Sequence, residues 1–228
     1  MAKDSWRNQI RRPNGQFGPK MKIGAAGTAA AGVIAFAEPM GGTTGVVSSG
    51  ASGMSMQSGM SQVVRQALPK AKKVARKGRP AKAWQRLKLR RRDREWDRLV
   101  ECGPHSYGDV QRFLWRNPCR SLDRVLFTLE DDDGNRIAVS VSWVRMPTSG
   151  KAARLRKLAD VHGTGNITPL PGVVAGAGEI DWTGHNYDSR RTGRMTVIAE
   201  VEPVDGRPDH DYMDGIADIA AEFPRPAR

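Results

Sequence analysis

The chain is poor in several of the things that mark common protein classes. Two cysteines among 228 residues exclude a cysteine-built metal centre and a disulfide network. Aromatic residues make up 6% and hydrophobic residues 39%, lean for a chain packed along its whole length. No apolar run reaches, without interruption, the ~20 residues of a membrane-spanning helix. Histidines number four, and neither His105 nor His185 belongs to a recognisable set of acid, base and nucleophile. No catalytic constellation stands out, and no metal or cofactor is expected.

Charge is abundant, and it is unevenly spread. The net charge is +13. The first 100 residues hold 21 Lys/Arg against 5 Asp/Glu, and the remaining 128 hold 16 against 19. The basic excess therefore lies outside the part with readable folding patterns. Such asymmetry points to an anionic partner surface, either nucleic acid or membrane headgroups, or to solvated linker charge.

Five segments follow. Residues 1–22 form a basic head carrying Lys3, Arg7, Arg11, Arg12, Lys20 and Lys22. Residues 23–47 hold a weakly hydrophobic stretch, uncharged from 23 to 37 and ending in Val33, Ile34 and Phe36. It reads as a transmembrane helix, as a signal segment cleaved after Ala35-Phe36-Ala37, or as a Gly/Ala linker. If it inserts, the cations before it hold the N-terminus in the cytoplasm and send the rest across. Residues 48–82 read as a flexible spacer and basic arm. Within the arm, Arg76-Lys77-Gly78-Arg79-Pro80 resembles an AT-hook, in which Gly-Arg-Pro flanked by cations enters the narrow A·T minor groove. Residues 83–100 read as a basic helix bearing Trp84 and Trp96, its face cationic through Arg90, Arg91 and Arg92. Arg76, Lys77, Arg79, Arg90, Arg91 and Arg92 are the candidate contacts to phosphate or headgroups.

Residues 101–228 are expected to fold as an α+β domain in the order α-β-β-α-β-β-α. Val110, Phe113 and Leu114 mark one face of a helix over 107–116, stopped by Pro118. Residues 122–129 and 137–143 read as strands joined at Asp133-Gly134, the second alternating Ile137, Val139, Val141 and Trp143 with small residues. Ser149 is placed to cap a helix that Gly163 ends. Residues 179–187 and 194–202 read as a second hairpin with a polar tip at 188–193. A last helix starts near Asp209, presenting Met213, Ile216, Ile219 and Phe223 to a core. The expectation is an antiparallel four-stranded sheet with helices on one face.

Cys102 and Cys119 bracket the first of these helices. In an intracellular protein they would be two separate thiols. Outside the cytoplasm they would form one disulfide, closing a loop of about 17 residues and stabilising by roughly 3 kcal/mol. Asp131-Asp132-Asp133-Gly134-Asn135 is explained by a turn, Asp209-His210-Asp211 by a helix start and His162-Gly163-Thr164-Gly165-Asn166 by a loop after a helix.

The opening Arg12-Pro13-Asn14-Gly15-Gln16-Phe17-Gly18-Pro19-Lys20, the Ala/Gly-rich segment, the spacer and the two-cysteine domain together resemble actinobacterial single-pass membrane proteins. That resemblance implies a location rather than an activity. The leading expectation is a membrane-anchored, non-enzymatic protein whose extracytoplasmic α+β domain binds a protein partner or helps assemble an envelope structure. The alternative is an intracellular nucleic-acid-binding protein gripping phosphates with residues 65–98.

Overall fold

In the computed structural model, residues 9–11, 17–19 and 62–226 are described. The expected membrane stretch, 23–47, lies outside them, as does most of the basic head and the spacer up to 61. Among the described residues no helix is long and apolar enough to cross a membrane. Two short strands near the start, β1 (Gln9–Arg11) and β2 (Phe17–Pro19), pair antiparallel with Ile10 opposite Gly18.

The folded unit is α+β as expected, but its antiparallel sheet has five strands rather than four, in the order β3-β4-β5-β7-β6. The strands are β3 (Arg90–Leu99), β4 (Ser121–Glu130), β5 (Arg136–Arg145), β6 (Asn186–Thr192) and β7 (Met195–Asp205). Five helices accompany them: α1 (Gln62–Arg76), α2 (Pro80–Gln85), α3 (Gly108–Arg116), α4 (Ser149–Ala159) and α5 (His210–Ala220).

The extra strand is the largest correction. The basic helix expected over 83–100 ends at Gln85, and Lys88 takes a left-handed φ of 58°. The chain then runs as an edge strand, Trp96 opposite Val125 and Leu99 opposite Leu122. Five arginines in ten residues disguise the strand, because an edge has one unpaired side that charged residues protect from aggregation. The open backbone edge of β4 outweighs any local helical preference. The arm is corrected too: from Gln62 it is helical as α1, despite Pro69 within it. Ala71 and Ala75, one turn apart and fully buried, let α1 approach the core closely. Lys72 and Arg76 then pair with Asp218 and Glu222 at 3.2 and 2.5 Å, so part of the basic excess is neutralised inside the fold.

Helices cover both faces of the sheet, not one. Inner strand β5 is buried on both sides, so its alternation sorts residues between two cores. Val139, Val141 and Trp143 pack with Phe127, Val201, Trp84, Ile216 and Ala75, under α1, α2 and α5. Val144 joins Leu122, Ile198, Val110, Leu114 and Leu155, under α3 and α4. A further cluster, Leu126, Ala138, Leu170 and Ala175, closes the other end of that second face beneath a 3-10 turn at Gly172–Ala175.

The second hairpin is also shifted. Residues 179–185 are not strand, β6 begins at Asn186, and the residues expected at its tip run as strand to Thr192, leaving the turn at Gly193 and Arg194. Thr148, not Ser149, caps α4 by accepting from the Lys151 backbone N–H, and the helix ends at Ala159, before Gly163. Asp209 caps α5 by accepting from the Tyr212 N–H.

Glu222, just past α5, gives the first prediction. Burial alone would raise its carboxyl, but the Arg76 hydrogen bond and the charges of Arg190, Arg76 and Lys72 outweigh that and hold it below the ordinary range. A carboxylate depressed in the folded state adds stability above its unfolded pKa and loses it as pH falls through the folded one. Arg76 is more than half exposed, so solvent screens the pair. Glu222→Gln should therefore cost only about 1 kcal/mol at neutral pH. The difference in melting temperature from wild type should close below about pH 4. A gap independent of pH would refute the assignment.

Candidate functional site

One concavity of the first face lies between the turn after α1, the edge strand β3 and the segment after α5. It encloses about 420 Å³ and is walled by Trp84, Trp96, Trp143, Phe127, Phe223 and the prolines Pro80, Pro224 and Pro226. Trp96 stacks on Trp143 with centroids 5.8 Å apart, and Trp84 meets Phe223 edge-on at 5.3 Å. The guanidinium of Arg94 lies 4.5 Å over the Trp96 ring, a cation–π contact.

Arg91 also lines this cleft, which strict alternation would forbid. Side chains three apart on a regular strand point to opposite faces. The pairing with β4 slips between Arg91 and Arg94, so Arg91 faces Leu129 and Arg94 faces Phe127, two residues of one face. A bulge thus aims both arginines into one cleft. Among the described residues no carboxylate pairs with either. Burial, and secondly the charge of Arg91, hold the Arg94 guanidinium below its ordinary pKa.

The last wall is the chain's own tail. The indole N–H of Trp143 donates to the Phe223 carbonyl at 2.9 Å. Arg225 donates to the fully buried Asp123 at 2.6 Å, and Arg98 donates to the same carboxylate at 2.5 Å. The other two indoles differ: neither Trp84 Nε1 nor Trp96 Nε1 has a hydrogen-bond acceptor although both atoms are buried. Buried donors without acceptors are rare and call for an explanation.

The six cations expected to form one anionic-surface site are dispersed. Arg76 is held by Glu222. Arg92 grips Glu130 with two bonds of 2.8 and 3.0 Å, and Arg90 lies 3.8 Å from the same carboxylate. Lys77 and Arg79 flank Gly78, which takes a left-handed φ of 69° in the turn between α1 and α2. Pro80 is the first residue of α2, where its missing N–H is harmless. The AT-hook-like residues thus make a helix–helix connection. Arg91 alone of the six reaches the aromatic cleft.

No known family, curated protein or solved structure matches this chain.

Cys102 and Cys119 form a disulfide with Cα atoms 6.0 Å apart. The loop it closes holds the 3-10 turn Gly103–His105 and α3. Ser106 Oγ donates to the Cys102 and Gly103 carbonyls, and Gln111 donates to those of Gly103 and Ser106.

A smaller hollow of about 280 Å³ lies on the second face, lined among others by Tyr107, Asp160, His162, Asn166, Trp182 and Glu200. The sequence left His162 and His185 apart, but their rings stack with centroids 5.7 Å apart. Glu200 accepts from Asn166 at 2.7 Å, and Glu202 accepts from Thr183 and Gly184. Burial pushes the Tyr107 hydroxyl up to about 12, with the Glu200 charge adding to it. Both carboxylates therefore tie loops to the sheet. Gly165 is required here, with φ of 87° and a Cβ that would meet the Tyr107 carbonyl. Among the described residues no three His, Cys, Asp or Glu side chains could hold a metal ion.

Proposed function

We propose that this chain is a membrane-anchored, non-enzymatic protein whose α+β domain lies outside the membrane, in an oxidising compartment, and binds its partner through the aromatic–arginine cleft. The disulfide between Cys102 and Cys119 carries the reading. Structural disulfides persist in extracytoplasmic compartments and are rare in the cytosol. Residues 23–47 supply the anchor, and the cations before them keep the N-terminus on the cytoplasmic side. Binding, not chemistry, fits the cleft, whose side chains are indole, phenyl, proline, valine and guanidinium groups. None of these is a nucleophile or a general base at neutral pH.

The internal pairing of Arg76, Arg90 and Arg92 takes support from the nucleic-acid alternative. Base stacking in the cleft is disfavoured too, because the Trp96 ring is already engaged by Trp143 and by Arg94.

Fractionation with external protease and a thiol-reactive label tests the location. Protein in the membrane fraction, cleaved from outside and with both cysteines blocked, is the expected result. Soluble protein with two free thiols and salt-sensitive DNA binding would overturn it.

A further inference from the structure

The polar side chains lining the aromatic cleft share one property: all are donors. Trp84, Trp96 and Trp143 offer indole N–H groups, and Arg91, Arg94 and Arg225 offer guanidinium N–H groups. Indole and guanidinium have no acceptor atom. The tail already satisfies Trp143, and Asp123 satisfies Arg225. Trp84 Nε1 and Trp96 Nε1 have no acceptor, but both atoms are buried beneath the cleft surface, out of a ligand's reach. Arg91 and Arg94 face the same opening without a carboxylate among the described residues.

We propose that this cleft binds a small organic anion, an acid group carried on an apolar body. The ligand's acid oxygens accept from Arg91 and Arg94, while its body lies against Phe127, Val125 and the prolines. This deepens the binding reading above and rests on it for the choice of site. A cation would meet two unneutralised arginines. A neutral apolar molecule would cover the Arg91 and Arg94 guanidinium groups without offering them an acceptor, at a desolvation penalty. A bare inorganic anion would leave the aromatic walls wet. The volume falls within the range of small-molecule pockets, which combine apolar walls with a few convergent polar groups. The edge of a guanidinium stacked on an aromatic ring still presents its N–H groups to an anion.

The test uses the full-length protein with its disulfide intact. Isothermal titration compares 2-naphthoate with 2-naphthylmethylamine, the same ring system bearing a cation, and with inorganic phosphate. Naphthoate should bind saturably, and the other two at least tenfold more weakly. In nitrogen–proton spectra, the Nε–H signals of Arg91 and Arg94 should move downfield on binding and that of Arg225, already held by Asp123, should stay. Arg94→Gln should weaken naphthoate at least tenfold and Trp96→Phe by three- to tenfold. Arg116→Gln, the same charge change on α3, should leave binding unaltered. Equal binding of acid and amine would overturn the proposal, as would unmoved Arg91 and Arg94 signals or an Arg94→Gln variant that binds like wild type. Displacement of naphthoate by phosphatidylglycerol vesicles would identify the anion as a lipid headgroup. Its absence would identify a free acid. These readouts are independent of cellular location, so failure of the anchor reading and failure of the ligand assignment can be told apart.

Discussion

Replacing Trp143 by alanine is expected to destabilise the fold by about 3–5 kcal/mol, the range for truncating a large buried aromatic side chain. Three losses coincide at this residue. It sits on an inner strand at 2% exposure, among residues from both flanking strands and from α5. Its stack with Trp96 disappears, worth about 0.5–1.5 kcal/mol beyond area. Its bond to the Phe223 carbonyl goes as well. Trp143→Phe isolates that last part: it keeps a ring for Trp96 and should lose about 1 kcal/mol. Urea unfolding followed by circular dichroism measures both. In the phenylalanine variant the segment after Phe223 should also be clipped faster by protease, while the sheet stays protected. A Trp143→Ala loss below about 1 kcal/mol would mean the cleft collapses around the missing ring, and the packing described would be wrong.

How much of this could be read beforehand depends on which face of which strand is in question. The alternation of Ile137, Val139, Val141 and Trp143 marked β5, since an inner strand sorts large and small residues by parity. The stop at Pro118, the turn at Asp133-Gly134 and the cap at Asp209 were legible because each rests on local backbone chemistry. The strand β3 was not. Its arginines answer to a solvent edge and to carboxylates remote in sequence, Glu130 and Asp123, which no window of neighbouring residues contains. Helix α1 was hidden for a related reason: its cations pair with Asp218 and Glu222, 146 residues away. The cleft was hidden twice over. Trp84, Trp96, Trp143 and Phe223 meet only through the sheet order. The parity of Arg91 and Arg94 is set by a bulge that composition does not announce. Charge counting marks the cations of this region but not their partners: Arg76, Arg90 and Arg92 lie against carboxylates, while Arg91 and the uncounted Arg94 face an aromatic wall.

The second large effect concerns the disulfide. Replacing Cys102 and Cys119 together by alanine is expected to cost about 3 kcal/mol, the loop-closure figure for a link across a separation of 17 residues. The loss should not be uniform. Cys102 is buried with Val110, Leu114 and Leu122, which dock α3 on the second face of the sheet. Gly103 lies so close to the Trp115 ring that a Cβ there would come within 2.9 Å of it. The link thus holds a small helix whose own hydrophobic stripe, Val110 and Leu114, is short. In the double variant, hydrogen exchange should rise first over residues 103–116, while β4, β5 and β7 keep their protection until global unfolding. Urea midpoints of the oxidised and the reduced wild type give an independent measure. They should separate by the same roughly 3 kcal/mol, because reduction removes the link without deleting either side chain. Coincident midpoints, with exchange unchanged over α3, would show that the bridge neither staples the helix nor matters to the fold. An oxidising compartment would then no longer be needed to explain this domain, and the anchor reading would lose the observation that carries it.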